Sequence, residues 1–382
     1  MRIAVNTIST KKIAGGAYQI AYNFLMETLK PQEGIEWYYI TSSDVDEAVG
    51  MYFESQRGKR YFVFPTQPDF KGSYKRVKKE LAQWEDEYKP DIIYTISSPC
   101  YFTFKTTEVM RFANAWITNP NKESWSVLPW KKWLKMRLYR IAQIRLLRKA
   151  KFIVTQSETV KNGLIKCTGL RENHIRVVPN VLPKVFSTAS VNHKVKDEFV
   201  DVICAAAHSP HKNLEIIPEV LRALKEKHQI TNVRFHLTIT GDTQVVQRMV
   251  ELSRAIGLED NIINHGRCSQ QQLCDIYNQV DFCFLPSLLE TFSASSLEAM
   301  YFGLCIVATD FDFNREIMED AGLYYKPMDA EDAADKIAML VNNKDLCREL
   351  QEKMPGRLAL FNDYGNHFKG IVDFLKQVPE IA

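Results

Sequence analysis

The chain has 382 residues, 46% of them hydrophobic, and a net charge of +3. That length suits roughly two domains with real cores, and the near-balanced charge excludes a nucleic-acid binder acting through bulk charge. Eight cysteines without a C-x-x-C pair read as reduced, buried thiols of a cytoplasmic protein rather than as disulfides or zinc ligands, and no segment approaches the roughly 18 apolar residues of a spanning helix.

Arg2 to Asn6 is a short apolar run, which reads as a first strand and is far too short for a signal peptide. A loop with Gly15-Gly16 follows, then an amphipathic helix from about Ala17 to Leu29. Strand, glycine loop and helix form the phosphate-cradling arrangement of doubly wound sheets, and equally a plain turn between strand and helix. Lys11 and Lys12 beside it read as solvated. Apolar runs at Trp37 to Ile40, Tyr61 to Phe64, Ile92 to Ile96 and Ala115 to Thr118 read as strands, and the Lys- and Glu-rich stretch from Tyr74 to Tyr88 as a helix. Alternating strands and helices imply a parallel, doubly wound α/β sheet.

Residues 129–151 carry nine basic residues and no acidic one, with Trp125, Trp130 and Trp133 at or near their start. Basic residues with Trp and Leu on one helix fit a helix lying on an anionic bilayer surface. Leu138, Ile141, Ile144 and Leu147 also follow a helical period, which fits a core-facing helix with a solvated basic face. The aromatics cluster at one end rather than interleaving with the basic residues, so no nucleic-acid partner is expected.

Phe152 to Gln156 reads as a strand, Ser157-Glu158 as a helix start and Ile175 to Pro179 as a further strand. The stretch from Val181 to Lys196 is rich in Pro, Ser and Asn and suits a boundary between domains. The pattern then restarts. Val202 to Ala207 is a strand, and His208 to Asn213 a loop opening the helix Leu214 to Lys227. Phe235 to Thr240, ended by Gly241-Asp242, and Ile262 to His265, followed by Gly266-Arg267, read as strands.

The next segment organises the rest. Asp281 to Leu285 is a buried strand, Pro286 to Phe292 a loop holding Glu290, and Ser293, Ser295 and Ser296 stand where hydroxyls satisfy the orphan N–H groups of a helix start. Glu298 then lies inside that helix. A helix N-terminus after a strand is a ready anion site, and two flanking carboxylates accept hydrogen bonds from sugar hydroxyls. The local reading is a nucleotide-sugar pocket.

Glu290 and Glu298 have the E-x7-E spacing of retaining glycosyltransferases of the GT-B fold, family four, which this chain resembles. The likeness continues through Phe302 to Asp310, Arg315 to Ile317 and Asp320 to Leu323, and more loosely through Ile153 to Asn180. It implies two Rossmann-like domains facing across a cleft: an acceptor-side domain over 1–183, a donor domain over 184–360, and a terminal helix over 361–382 packing back on the first. It implies that Lys212 binds the donor pyrophosphate, with Gly15, Gly16, Arg267 and the helix start at Phe292, Ser293 and Ala294 contributing. Glu290 would position the sugar and Glu298 the ribose. Ala206 and Ala207 stand where the family's companion Arg is expected, so His208 or His211 would substitute, and Asn119 or Asn121 would replace a first-domain His. Thr291 and Ser293 replace glycines around Phe292, and Val181 the Gly after Pro-Asn.

The expected function is retaining transfer of a hexose from a nucleoside-diphosphate sugar to a glycan or lipid-linked acceptor in cell-surface polysaccharide synthesis. It would proceed without metal or other cofactor, in the cytoplasm, with 129–151 offering peripheral contact to the inner membrane face. A nucleotide-sugar epimerase and a non-catalytic nucleotide-sugar-binding protein are the alternatives. Asp44-Val45-Asp46 and Asp310-Phe311-Asp312 spell D-x-D, a pattern too common to assign to a metal. No G-x-S-x-G, H-E-x-x-H or G-x-G-x-x-G supports a hydrolase or a dehydrogenase.

Overall fold

The computed structural model describes residues 1–11, 16–65, 72–192, 198–241, 243–361 and 363–381. The chain folds as two compact units. Unit 1 gathers Met1–Thr118, Leu138–Pro179 and Gly365–Ala382, and unit 2 gathers Asn119–Arg137 and Asn180–Tyr364.

The elements follow in chain order, beginning with β1 (Arg2–Asn6), α1 (Gly16–Thr28), β2 (Glu36–Ser42), α2 (Ser43–Val49), β3 (Tyr61–Phe64) and α3 (Tyr74–Tyr88). Next come β4 (Ile92–Thr95), β5 (Glu108–Arg111) and the short helices α4 (Ala115–Thr118) and α5 (Lys122–Ser126). Then follow α6 (Trp130–Leu147), β6 (Phe152–Thr155), α7 (Glu158–Thr168), β7 (Ile175–Val177) and α8 (Lys184–Ser187). The second run has β8 (Val200–Cys204), α9 (Ile217–His228), β9 (Val233–Leu237), α10 (Thr243–Arg254), β10 (Ile262–Asn264), α11 (Gln270–Tyr277), β11 (Phe282–Leu285) and α12 (Ala294–Tyr301). It closes with β12 (Cys305–Thr309), α13 (Asp312–Met318), β13 (Leu323–Tyr325), α14 (Ala330–Asn342), α15 (Lys344–Leu358) and α16 (Tyr364–Ile381).

Unit 1 holds a seven-stranded sheet of order β3-β2-β1-β4-β5-β6-β7, and unit 2 a six-stranded sheet of order β10-β9-β8-β11-β12-β13. Every strand pair is parallel. Such sheets need helices on both faces, which is why their strands read as continuous apolar runs. In unit 2 one face packs Val202, Phe235, Phe284 and Val307 against α9 and α14. The other packs Ile203, Cys283 and Ile306 with Tyr277 of α11 and Leu297 of α12.

Local chemistry sets the element ends. Ser157 Oγ accepts the Val160 N–H at 3.2 Å and starts α7, and Ser269 with Gln272 forms a capping box on α11. Gly303, at φ +67°, ends α12 in a left-handed conformation that a side chain resists.

Three expectations are corrected. Ala115–Thr118 is a helix, and the strand of that region is β5, whose Glu108 and Arg111 masked its apolar centre. Leu138 and Ile141 do not face a core: they are 61% and 48% exposed, and only the later end of α6, at Gln143 and Leu147, is buried. The serines at the start of α12 do not cap it, because Ser293 makes no capping bond, Ser295 Oγ donates to the Ala205 carbonyl at 3.2 Å, and the buried Ser296 Oγ has no partner.

Candidate functional site

In each sheet the chain order reverses once, between β1 and β4 in unit 1 and between β8 and β11 in unit 2. Neighbouring loops diverge at such a point and leave a crevice at the carboxyl ends of the strands, where open α/β sheets bind ligands. The unit 2 crevice is flanked by the loop from Ala205 to Asn213 after β8 and the loop from Pro286 to Ser293 after β11. Two bonds tie these loops together, and a third ties the first loop to α12. The Leu288 N–H donates to the His211 carbonyl at 2.7 Å, Ser295 Oγ reaches Ala205, and Lys212 Nζ forms an ion pair with Glu290 Oε1.

Lys212 closes a single 3₁₀ turn, Pro210–Lys212, and Asn213 follows it at φ 53°, ψ 36°. Asn tolerates this left-handed conformation better than other residues with a Cβ, so the Lys-Asn pair bends the chain and turns Lys212 toward Glu290. Both side chains are partly buried and open to a ligand. The Glu290 loop is held from below: Thr309 Oγ1 donates to the Ser287 carbonyl at 2.6 Å, and Asn314 Nδ2 to the Thr309 carbonyl at 2.9 Å. Ser293, at the N-cap of α12, makes no side-chain capping bond, and the start of that helix offers N–H groups to an anion.

The other expected residues fall in different places. His208 Nε2 lies 2.8 Å from Glu215 Oε1, and His211 Nδ1 lies 2.8 Å from Ser209 Oγ. Burial holds the His211 imidazole below its ordinary value, with Glu290 pulling upward and Lys212 downward, so it adds little positive charge near neutral pH. Arg267 is exposed and forms no ion pair among the described residues. Phe292 turns its ring into the core, 5.7 Å from Phe361, so that only its backbone faces the crevice side of the loop. Ser293 precedes α12 and Ala294 opens it, exposed.

Glu298 lies beneath the helix, 9% exposed, and its Oε2 accepts the Tyr277 hydroxyl at 2.7 Å. Burial raises its carboxyl to about 7, against the lowering effect of that bond. Tyr277 stands far from Glu298 in sequence and gave no local signal of the pairing. Asn121 clusters with unit 2, where its Nδ2 donates to the Leu288 carbonyl at 2.7 Å and its Oδ1 accepts the Ser124 N–H at 2.7 Å in a capping box. It therefore braces the Glu290 loop. Asn119 is half-buried in the same unit. Gly16 opens α1, and Gly15 lies outside the described residues, as do Lys12 and Asp242. Asp310 of the second D-x-D is held by Arg315 in a two-pronged pair at 2.5 and 2.9 Å.

Known proteins bear on this arrangement. Residues 15–183 match the family model described as Glycosyltransferase Family 4, and residues 186–357 the one described as Glycosyl transferases group 1. A mannosylfructose-phosphate synthase of Agrobacterium fabrum is 23% identical over 232 residues, covering 57% of this chain. That match spans 49% of the relative, about half its length. Among solved structures, a glycosyltransferase from Rickettsia africae superposes with a TM-score of 0.72 at 17% identity, covering 100% of this chain and 99% of the other. Anabaena HepE, in complex with UDP and glucose, gives 0.67 at 17% identity, covering 99% and 100%. Each half of the chain thus matches a glycosyltransferase family model, and the two doubly wound parallel sheets give it the GT-B fold of these structural neighbours.

Proposed function

We propose that this enzyme transfers a hexose, with retention of anomeric configuration, from a nucleoside-diphosphate sugar to a glycan or lipid-linked acceptor in cell-surface polysaccharide synthesis. The supporting observation is the convergence of Lys212, Glu290 and the start of α12 at the β8–β11 switch point. A related fold, HepE, is known in complex with UDP and glucose.

Glu290 balances the Lys212 charge through their ion pair. A diphosphate offers Lys212 a doubly charged partner, and Glu290, released, accepts hydrogen bonds from the hexose hydroxyls. As the anomeric C–O bond to the diphosphate breaks, Lys212 and the N–H groups of α12 stabilise the charge on the leaving oxygen. The acceptor oxygen bonds the same face of the anomeric carbon and passes its proton to the departing diphosphate oxygen. Asn121, by holding the Leu288 carbonyl, fixes the loop that carries Glu290.

The test incubates the protein with labelled nucleotide sugars and a membrane extract. Glu290→Ala should lower turnover by about a hundredfold or more, the scale of losing one placed polar group, without changing the unfolding temperature. Full turnover in that variant overturns the assignment. Rearranged sugar formed without acceptor would indicate the epimerase instead.

A second proposal concerns location. Trp130, Leu134, Leu138 and Ile141 recur at i, i+4, i+8 and i+11, so they share one face of α6, and Trp130 is 71% exposed. An exposed apolar stripe on a helix without acidic residues supports peripheral contact with an anionic bilayer.

A further inference from the structure

The crevice between β8 and β11 keeps two opposite charges joined. Lys212 Nζ donates to Glu290 Oε1, and the two side chains are 26% and 16% exposed. The charges that act on the His211 imidazole beside them are these two, in opposite senses. The rest of the first loop brings no second cation to the pair. Ala205, Ala206 and Ala207 lead to His208, whose Nε2 lies 2.8 Å from Glu215 Oε1. The Cys204 thiol, which feels Lys212, is pushed up to about 12 by burial and stays uncharged. Lys212 and Glu290 therefore cancel each other while no ligand separates them.

Backbone bonds, rather than the two side chains, fix where the pair stands. The Leu288 N–H donates to the His211 carbonyl at 2.7 Å, and the Lys212 N–H to the Ser209 carbonyl at 2.8 Å. Thr309 Oγ1 holds the Ser287 carbonyl at 2.6 Å, and Asn121 Nδ2 the Leu288 carbonyl at 2.7 Å. An anion that takes Lys212 can turn the Glu290 side chain, but it cannot move the Glu290 loop without breaking these bonds. The carboxylate then stands beside the anion in a partly buried crevice, where water and salt screen the repulsion poorly. A bare nucleoside diphosphate bears that repulsion in full, because it opens the ion pair and leaves Glu290 without a partner. A nucleoside-diphosphate sugar does not, because its hexose hydroxyls donate to Glu290 in place of Lys212.

We propose that the Lys212–Glu290 pair is a product-ejecting latch, open while the hexose is attached and closing against the bare nucleoside diphosphate that transfer leaves behind. Substrate and product bring the same diphosphate to Lys212, and the negative charge of Glu290 sets them apart. No covalent step is involved: the nucleotide leaves as the Lys212–Glu290 bond re-forms. This deepens the nucleotide-sugar reading of the site and rests on it.

The experiment titrates the wild type, Glu290→Gln, Glu290→Ala and Glu219→Gln with bare UDP and bare GDP by calorimetry. For the nucleotide that binds the wild type, Glu290→Gln and Glu290→Ala should both bind it about tenfold tighter, the scale of one nearby opposed charge. Glu219→Gln removes the same charge from the exposed face of α9 and should stay within about threefold of the wild type on that scale. In the transfer assay, the added nucleotide should inhibit Glu290→Gln at about a tenfold lower concentration than the wild type, although the variant turns over more slowly. A loss of turnover joined to a gain in product affinity separates the latch from a Glu290 that only contacts the sugar, which would leave the affinity for bare nucleotide unchanged. Unchanged or weaker binding of bare nucleotide by both Glu290 variants overturns the latch and leaves the nucleotide-sugar reading standing. An equal gain in Glu219→Gln also overturns it, since the effect is then one of overall charge. If neither nucleotide binds the wild type or the Glu290 variants, the nucleotide-sugar reading itself fails.

Discussion

Asn213 stands at φ 53° directly after Lys212, where a Cβ meets the following carbonyl. Asn213→Gly should keep both stability and donor affinity. Asn213→Val should lower stability by about 1–2 kcal/mol, the cost of a left-handed β-branched residue, and weaken nucleotide binding by displacing Lys212. Thermal unfolding and calorimetry on the two variants check this. Glu298 supports a prediction about pH. Its folded carboxyl is raised from the ordinary 4.5 to about 7 by burial. Below the lower value it is protonated whether folded or unfolded, and its contribution to stability is complete. Between the two the unfolded chain ionises and the folded one does not, so stability falls as pH rises, and the loss is complete above about 7. The full loss is on the order of 3 kcal/mol. Glu298→Gln keeps an acceptor for Tyr277 and cannot ionise, so its denaturant midpoint should hold where the wild type declines. Parallel curves for the two proteins would refute the buried, raised carboxyl.

At the scale of elements, α6 separates two readings of one periodicity. Leu138, Ile141, Ile144 and Leu147 repeat as a core-facing helix would, yet the first two are solvent-exposed. Several cations are committed to the protein: Arg137 stacks over Trp133 at 4.3 Å, Arg140 donates to the Ile117 carbonyl at 2.9 Å, and Arg148 to the Cys167 carbonyl at 3.3 Å. Lys131, Lys132 and Lys135 extend from the exposed start of the helix. Sedimentation with vesicles containing anionic lipid should show binding at low salt. Replacing these three lysines by serine should weaken it roughly a hundredfold, at about 1 kcal/mol for each charge. Equal binding to neutral vesicles would refute the electrostatic part, and no binding at low salt would refute the whole.

Across the whole molecule, sequence distance and spatial grouping part company. Residues 365–382 cluster with unit 1. There Phe368 of α16 lies 5.0 Å from Phe24, Phe374 lies 6.3 Å from Phe152, and Arg176 Nη2 donates to Gln377 at 2.7 Å. His367 anchors the start of this helix through Nδ1, 2.6 Å from the Pro179 carbonyl. Burial depresses its imidazole from 6.5 to about 4; the Pro179 bond opposes this and Arg111 adds to it. The neutral ring is therefore at no disadvantage above about 6.5, and stability is lost as pH falls from there toward 4, on the order of 3 kcal/mol in all. His367→Gln keeps a donor for Pro179 and removes the titration. Hydrogen exchange should show α16 loosening below pH 6 in the wild type and much less in the variant.

Regular local patterns are legible in the amino-acid sequence. Continuous apolar runs mark most strands, because strands of a parallel sheet are covered on both faces and need apolar residues throughout. The Lys212 and Glu290 loops are legible because each is a short segment between a strand and a helix. Strand β5 is hidden because Glu108 and Arg111 at its ends acquire their neighbours only on folding: Thr95 Oγ1 donates to Glu108, and Ser98 Oγ to the Arg111 carbonyl. The same physics separates what the chain alone determined from what packing decided. The order of strands and helices, and the residue types set at their ends, follow from local periodicity and turn chemistry. That Glu298 is buried against Tyr277, that Leu138 faces water, and that His236 meets both Asp201 and His265 depend on groups from distant segments, and only tertiary packing sets which groups meet and how much water each one keeps.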